Sequence, residues 1–218
     1  MKSVIYKSRG FKICCVLMIA TFVNLGMSDE TSASQNLNLD KKIDFDYEEI
    51  SYGRDYVVNR DLDSQEENVI QLGKLGYEIY VEGTEERVGV TNPISEIVEI
   101  GPISSFNGLL TGYGPDCVGC GGKVACSPNQ DVRNGNIYYE DEIYGTLRIV
   151  AADKKVSCGS IVVISNFYLS EEPIIAIVLD RGGAIKGNKM DLLYEKEADT
   201  VIVGKQRNIE FDILREGW

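Results

Sequence analysis

From Ile43 onward the apolar residues fall in short, β-branched runs, not at the three-and-four spacing of an amphipathic helix. The stretches 56–58, 77–81 and 97–100 predict strands. Between the first two, the run Asn68-Val69-Ile70-Gln71-Leu72-Gly73-Lys74-Leu75-Gly76 sets two glycines three apart after a short apolar segment. That pattern predicts a β-ribbon with tight turns, since glycine tolerates positive φ. No run in this part is long enough for a sizeable core, so it reads as a two-sheet module. Further along, 147–152, 160–164, 174–179 and 209–214 are apolar, β-branched and bounded by Gly, Asp or Asn. The last alternates Ile209, Phe211 and Ile213 with Glu210 and Asp212, which gives one buried face. The competing helical signal amounts to a turn or two at 194–200. The expected class is all-β, with a closed β-barrel in the second half.

The N-terminus has a different pattern. Lys2, Lys7, Arg9 and Lys12 precede an apolar run over 13–23 that ends at Asn24. Basic, apolar and then polar is the layout of an export signal. The run is too short for a comfortable transmembrane helix, which needs about 20 apolar residues. Small residues at 31–33 mark a cleavage site before Ser34. The expected organisation is a signal peptide over 1–33, a polar linker over 34–42, a β-rich module over 43–102 and a barrel domain over 107–218. Contact with a membrane is expected only through an uncleaved signal, and the chain is expected to be exported and monomeric.

Composition narrows the chemistry. The chain has no histidine, which removes Ser-His-Asp and Cys-His nucleophile systems and imidazole metal sites. A net charge of −12 argues against nucleic-acid partners, whose phosphates require a basic face. Residues 28–100 carry 18 acids against 6 bases, so most of the acidity belongs to the linker and module, as a solvated surface. In an exported chain, Cys117, Cys120, Cys126 and Cys158 point first to two disulfides of unreadable connectivity. A zinc half-site at Cys117-Val118-Gly119-Cys120 is the second reading, and a redox pair in that glycine-rich loop the third.

The chemistry itself rests on aspartates. The run 174–179 leads straight into Asp180-Arg181-Gly182-Gly183-Ala184-Ile185-Lys186-Gly187, Asp191 follows after Met190, and Asp153 ends the run 147–152. Aspartates at strand ends bring carboxylates to the rim of a sheet, where all three can meet. Read from composition alone, they are better explained as turn formers beside glycine. No metal and no cofactor is expected, because three aspartates without a ligand-spaced loop make a weak cation site.

These residues carry a resemblance. Ala151-Ala152-Asp153, Leu179-Asp180-Arg181-Gly182-Gly183-Ala184-Ile185-Lys186-Gly187 and Met190-Asp191-Leu192 resemble the signature of the three-aspartate (3D) domain over roughly residues 108–214. That family adopts a double-psi β-barrel similar to the barrels of membrane-bound lytic transglycosylase A and of stationary-phase-survival wall lytic enzymes. Residues 43–101 are similar to a G-five domain through Glu49-Ile50, Gly73, Gly76 and the run Asn92-Pro93-Ile94-Ser95-Glu96-Ile97-Val98-Glu99-Ile100-Gly101. That family is thought to bind N-acetylglucosamine polymers.

The resemblance implies an exported peptidoglycan lytic transglycosylase that cleaves the glycan strand without water. It implies Asp191 as the acid/base, Asp180 as the residue that orients substrate or tunes Asp191, and Asp153 as a support or a structural acceptor. Gly182, Gly183, Lys186 and Tyr194 are expected at the substrate. Arg181, Lys186 and Lys189 read equally as ligands of sugar hydroxyls or of the substrate's peptide carboxylates and as solvated loop charges. Tyrosines, among them Tyr52, Tyr56, Tyr77, Tyr80 and Tyr113, read as stacking platforms or as half-buried core. The alternative from another class is a non-catalytic wall-binding protein that retains the barrel.

Overall fold

The computed structural model describes residues 43–218; the expected signal (1–33) and linker (34–42) lie outside the described residues. The described residues are organised as two compact units that interleave in sequence: one comprises 43–52 and Lys74–Ile94, the other Gly53–Gly73 with Ser95–Trp218.

The smaller unit is a three-stranded antiparallel sheet. Its strands are β1 (Phe45–Ile50), β4 (Gly76–Val81) and β5 (Arg87–Thr91), in the order β1-β4-β5. Phe45, Tyr47 and Glu49 lie opposite Val81, Ile79 and Tyr77, so apolar and aromatic side chains share one face. Phe45 and Tyr47 remain more than two-fifths exposed. Gly76 sits where any Cβ would fall 2.4 Å from the Thr91 carbonyl oxygen, so only glycine admits that approach.

The larger unit opens with a second three-stranded sheet of β2 (Arg54–Val58), β3 (Glu67–Gln71) and β6 (Glu96–Ile100), in the order β2-β6-β3. Residues 43–101 thus form two sheets, as their pattern suggested, but the boundary of compactness does not follow 43–102. Tyr56, Val58 and Ile100 pack in one apolar cluster with Leu147, Ile149, Ile161, Val163, Ile177 and Leu179 of the barrel strands. Burial against that cluster joins the second sheet to the barrel. Arg60, in the β2–β3 loop, reinforces the join with two 2.9 Å hydrogen bonds to buried Asp212, which also accepts one from Ser105.

The barrel strands are β7 (Ser104–Tyr113), β11 (Gly145–Ala152), β12 (Ile161–Ser165), β13 (Ile174–Asp180), β14 (Lys189–Leu193) and β15 (Gln206–Arg215). They follow the order β11-β13-β12-β15-β7-β14, and pairing of β14 with β11 closes the ring of six. Pairs β11–β13 and β7–β14 are parallel and the others antiparallel. The class is the expected one: all-β, with a double-psi barrel. The interior is filled from every strand, by Leu110, Val150, Val162, Val178, Leu192 and Phe211 among others. The alternate residues of β11, β12 and β13 enter the outer cluster instead. Strands buried on both faces read as unbroken apolar runs, and these three are the ones that the pattern marked most clearly.

Between β7 and β11 the chain makes an excursion. It holds the short pair β8 (Lys123–Val124) and β9 (Ser127–Asp131), then β10 (Tyr138–Asp141), which lies along β11. Val124, Val132 and Ile137 of this excursion are buried in the outer cluster. The four cysteines pair as Cys117–Cys120 and Cys126–Cys158, so the zinc and dithiol readings give way to disulfides. Two disulfides fit an oxidising, extracellular environment. Among the described residues no helix is long and apolar enough to cross a membrane.

Candidate active site

The register of four barrel strands brings two of the three aspartates together. Ala151 on β11 has Asp180 of β13 as its partner on one side and Asp191 of β14 on the other. Asp191 in turn lies opposite Thr111 of β7. A register shift between Val150 and Ala151 is what sets Asp180, and not Leu179, against Ala151. Such irregularities commonly re-aim side chains at functional sites.

The two carboxylates have unlike surroundings. Asp180 accepts from Tyr113 Oη at 2.7 Å, from the Ala125 amide at 2.9 Å and from the Arg181 amide at 2.8 Å, so both its oxygens are engaged. Asp191 accepts one hydrogen bond, 2.5 Å from Thr111 Oγ1. Burial pushes its carboxyl above the usual carboxylate range; Thr111 and Lys189 oppose that shift, and Glu197 and Asp180 add to it. Tyr113 lies near both, and burial followed by the Asp180 charge raises its phenol far above its ordinary value, leaving it a hydrogen-bond donor. The arrangement therefore offers a carboxyl inclined to hold its proton beside a carboxylate fixed by three donors. That combination suits general acid chemistry at a polar ligand.

Asp153 stands apart in role. Its oxygens accept from the Lys155 amide at 3.0 Å and the Gly187 amide at 2.8 Å, which pins the loop 181–187 to the turn after β11. Those two backbone donors hold its carboxyl below the usual range. This is the geometry of a structural acceptor. Arg181 is likewise committed: its guanidinium donates to the carbonyls of Ala152, Asp153 and Val156.

A cleft of about 530 Å³ opens over Asp180. Gly182 and Gly183 line it with Tyr113, and its far wall is the disulfide-pinned loop from Val118 to Gly122. A Cβ at Gly183 would meet open space, so its wall presents backbone alone. Lys186 is exposed on the loop beside Asp153. Tyr194 packs against the interior cluster with the Arg148 guanidinium 5.2 Å from its ring centroid. The structure thus gathers Asp180, Gly182 and Gly183 at the cleft; Asp191 stands across Ala151 from Asp180, outside the cleft's lining, and Lys186, Tyr194 and Asp153 are held in other contacts.

Three participants had no signal in sequence. Thr111 and the Ala125 amide reach the carboxylates only through register and the excursion's path. Glu197 opens a 3-10 helix (Glu197–Ile202), and its carboxylate accepts from the Gly114 amide at 2.7 Å. Gly114 allows this because a Cβ there would lie 2.0 Å from the Glu197 nitrogen.

Residues 148–215 match the 3D domain. That span contains all three aspartates, most of β11 and the whole of β12, β13, β14 and β15. β7, which carries Thr111 and Tyr113, lies N-terminal to the matched span of the 3D domain. Among solved structures, the Streptomyces papain inhibitor (SPI) is similar at 16% identity and a TM-score of 0.36, over 52% of this chain and 97% of that chain. No curated protein matches the chain.

Proposed function

We propose that this protein is an exported peptidoglycan lytic transglycosylase. The match of residues 148–215 to the 3D domain, a cell-wall-associated barrel, supports a peptidoglycan-related role. The observation that carries the reading is the unlike pair: Asp191, raised by burial, beside Asp180, held by three donors. A non-hydrolytic cleavage needs one group to act as acid and then as base. Asp191 protonates the glycosidic oxygen as the C1–O bond breaks. The resulting carboxylate then takes the proton from the muramoyl 6-hydroxyl, whose oxygen closes on C1, so protons balance and no water is consumed. Asp180 and the Gly182-Gly183 backbone orient the sugar in the cleft. This differs from the two-carboxylate glycosidases, in which a second acid serves as nucleophile or activates water.

Residues 43–102 are, on this reading, a G-five-like wall-holding module. Support comes from its exposed rings Tyr52 and Tyr47, the latter edge-to-face with half-buried Tyr77 at a centroid distance of 6.3 Å. Tyr56 is committed elsewhere, tilted on Tyr144 at 4.7 Å.

Asp191 must be protonated to start the cycle, so activity should fall as pH rises through its raised pKa. Thr111 favours the ionised form. Thr111→Val should therefore raise the Asp191 pKa further and move the alkaline limb of the pH–rate profile for solubilising purified peptidoglycan to higher pH. A limb that stays fixed or moves to lower pH would mean that Asp191 is not the titrating acid.

A further inference from the structure

A second cleft of about 500 Å³ adjoins the first. Pro115 lines both, so a ligand leaving the Asp180 cleft over that residue enters the second. The two differ in chemistry. The first is lined mainly by glycine backbone, Tyr113 and small apolar side chains, with Lys123, Asp180 and Arg181 among them; four of the seven residues of the second are charged, Asp116, Arg133, Glu195 and Lys196. Arg133 is bound to Asp131 through its Nε and Nη2, and that pairing holds Asp131 well below the usual carboxylate range. Asp116 uses one oxygen to accept from the Glu197 amide at 2.6 Å. Glu195 and Lys196 are exposed neighbours in sequence, and neither forms an ion pair among the described residues. The second cleft thus presents one uncommitted cation next to uncommitted carboxylate oxygens.

A plain glycan has nothing to satisfy both signs of charge. A peptide with free carboxylates and a free amine does, and in the proposed substrate such a peptide branches from the sugar backbone. We propose that the second cleft binds the peptide branch of a strand whose sugars occupy the Asp180 cleft. Lys196 takes a peptide carboxylate, and Glu195 with Asp116 takes the amine. This rests on the glycan reading above and adds to it a preference for peptide-bearing strands.

The test compares three fluorescent probes on the intact protein: a peptidoglycan tetrasaccharide with its stem peptides, the same tetrasaccharide after an amidase has removed them, and the free peptide. Anisotropy should give affinity about tenfold tighter for the peptide-bearing probe than for the bare one, the scale of one good charge-assisted contact. Lys196→Glu should erase that difference without changing affinity for the bare probe. Equal affinity of wild-type protein for the first two probes, or a Lys196→Glu protein that still discriminates, overturns the proposal. Lys196-dependent binding of free peptide, with no binding of bare sugar, would leave the peptide cleft standing and remove the glycan reading instead.

Discussion

Asp191→Asn should abolish glycan cleavage and at the same time stabilise the fold at neutral pH. Removing a general acid typically lowers turnover by about 10²–10⁴-fold. Here the same group must also serve as base, so nothing in the pair replaces it. The stability gain follows from the sign of its pKa shift. The folded-state pKa of Asp191 lies above its unfolded value because burial disfavours the charge. Above the folded pKa both states are ionised, and the native state bears the full cost. Below the unfolded value of about 4 both are protonated, and the cost is gone. Asparagine carries no charge to bury, so its melting temperature should exceed wild type at pH 7.5 and match it near pH 3.5. Thermal melts at the two pH values, together with release of soluble fragments from purified wall, check both halves. Wild-type-like turnover, or a lowered melting temperature at neutral pH, would contradict the assignment.

Removal of the Cys126–Cys158 disulfide is expected to have the second largest effect, and on activity as well as stability. It closes a loop of 32 residues, for which about 2–4 kcal/mol is typical, whereas Cys117–Cys120 closes one of three and should matter far less. Its position makes it more than a staple. The Cys126 amide donates to the Leu179 carbonyl at 2.9 Å, and the preceding Ala125 amide is one of the three donors to Asp180. Losing the bridge frees the excursion to leave the end of β13 and takes a donor from the pair. Cys126→Ala/Cys158→Ala should therefore lower the melting temperature and reduce activity even at temperatures where the barrel stays folded. Reductant should reproduce both effects on the wild type, and a chelator neither. Full activity in the folded double variant would show that the excursion does not position Asp180.

How far the sequence spoke depended on how locally each feature is encoded. The strands β11, β12, β13 and β15 were legible because burial on two faces, or on alternate residues, leaves a local imprint. β7, at ten residues one of the two longest strands, was not: Ser104-Ser105-Phe106-Asn107-Gly108-Leu109-Leu110-Thr111-Gly112-Tyr113 contains two glycines and a polar start. Its Gly108 is there because a Cβ would fall 1.8 Å from the Asn188 carbonyl oxygen, a demand set by a residue 80 positions away. The division at residue 102 had the same blind spot. Composition changes there, but Ile100 is buried, and Tyr56 and Val58 half-buried, against barrel residues distant in sequence, and only the folded chain brings them together.

The site divides similarly. The aspartates and the Gly182-Gly183 wall were visible because a contiguous motif carries them. The pairing of Asp180 with Asp191 was implied by the resemblance alone; its physical cause, strand order and one register shift, has no local imprint. The resemblance implied Asp180 as the residue that tunes Asp191. In the structure burial leads, and the Asp180 charge contributes less than Glu197, a residue that no motif flagged. Cysteine pairing was unreadable for the same reason: Cys126 meets Cys158 only because the excursion folds back along the end of β13.

The most direct measurement of the central claim is mass spectrometry of purified peptidoglycan digested by the intact protein. A lytic transglycosylase using Asp191 as acid and then base must release muropeptides ending in the 1,6-anhydro sugar, with no new reducing ends, and the Asp191→Asn protein must release none. Products bearing ordinary reducing ends would mean that water is the nucleophile, and intact strands that only co-sediment with the protein would mean that the barrel binds wall without cutting it.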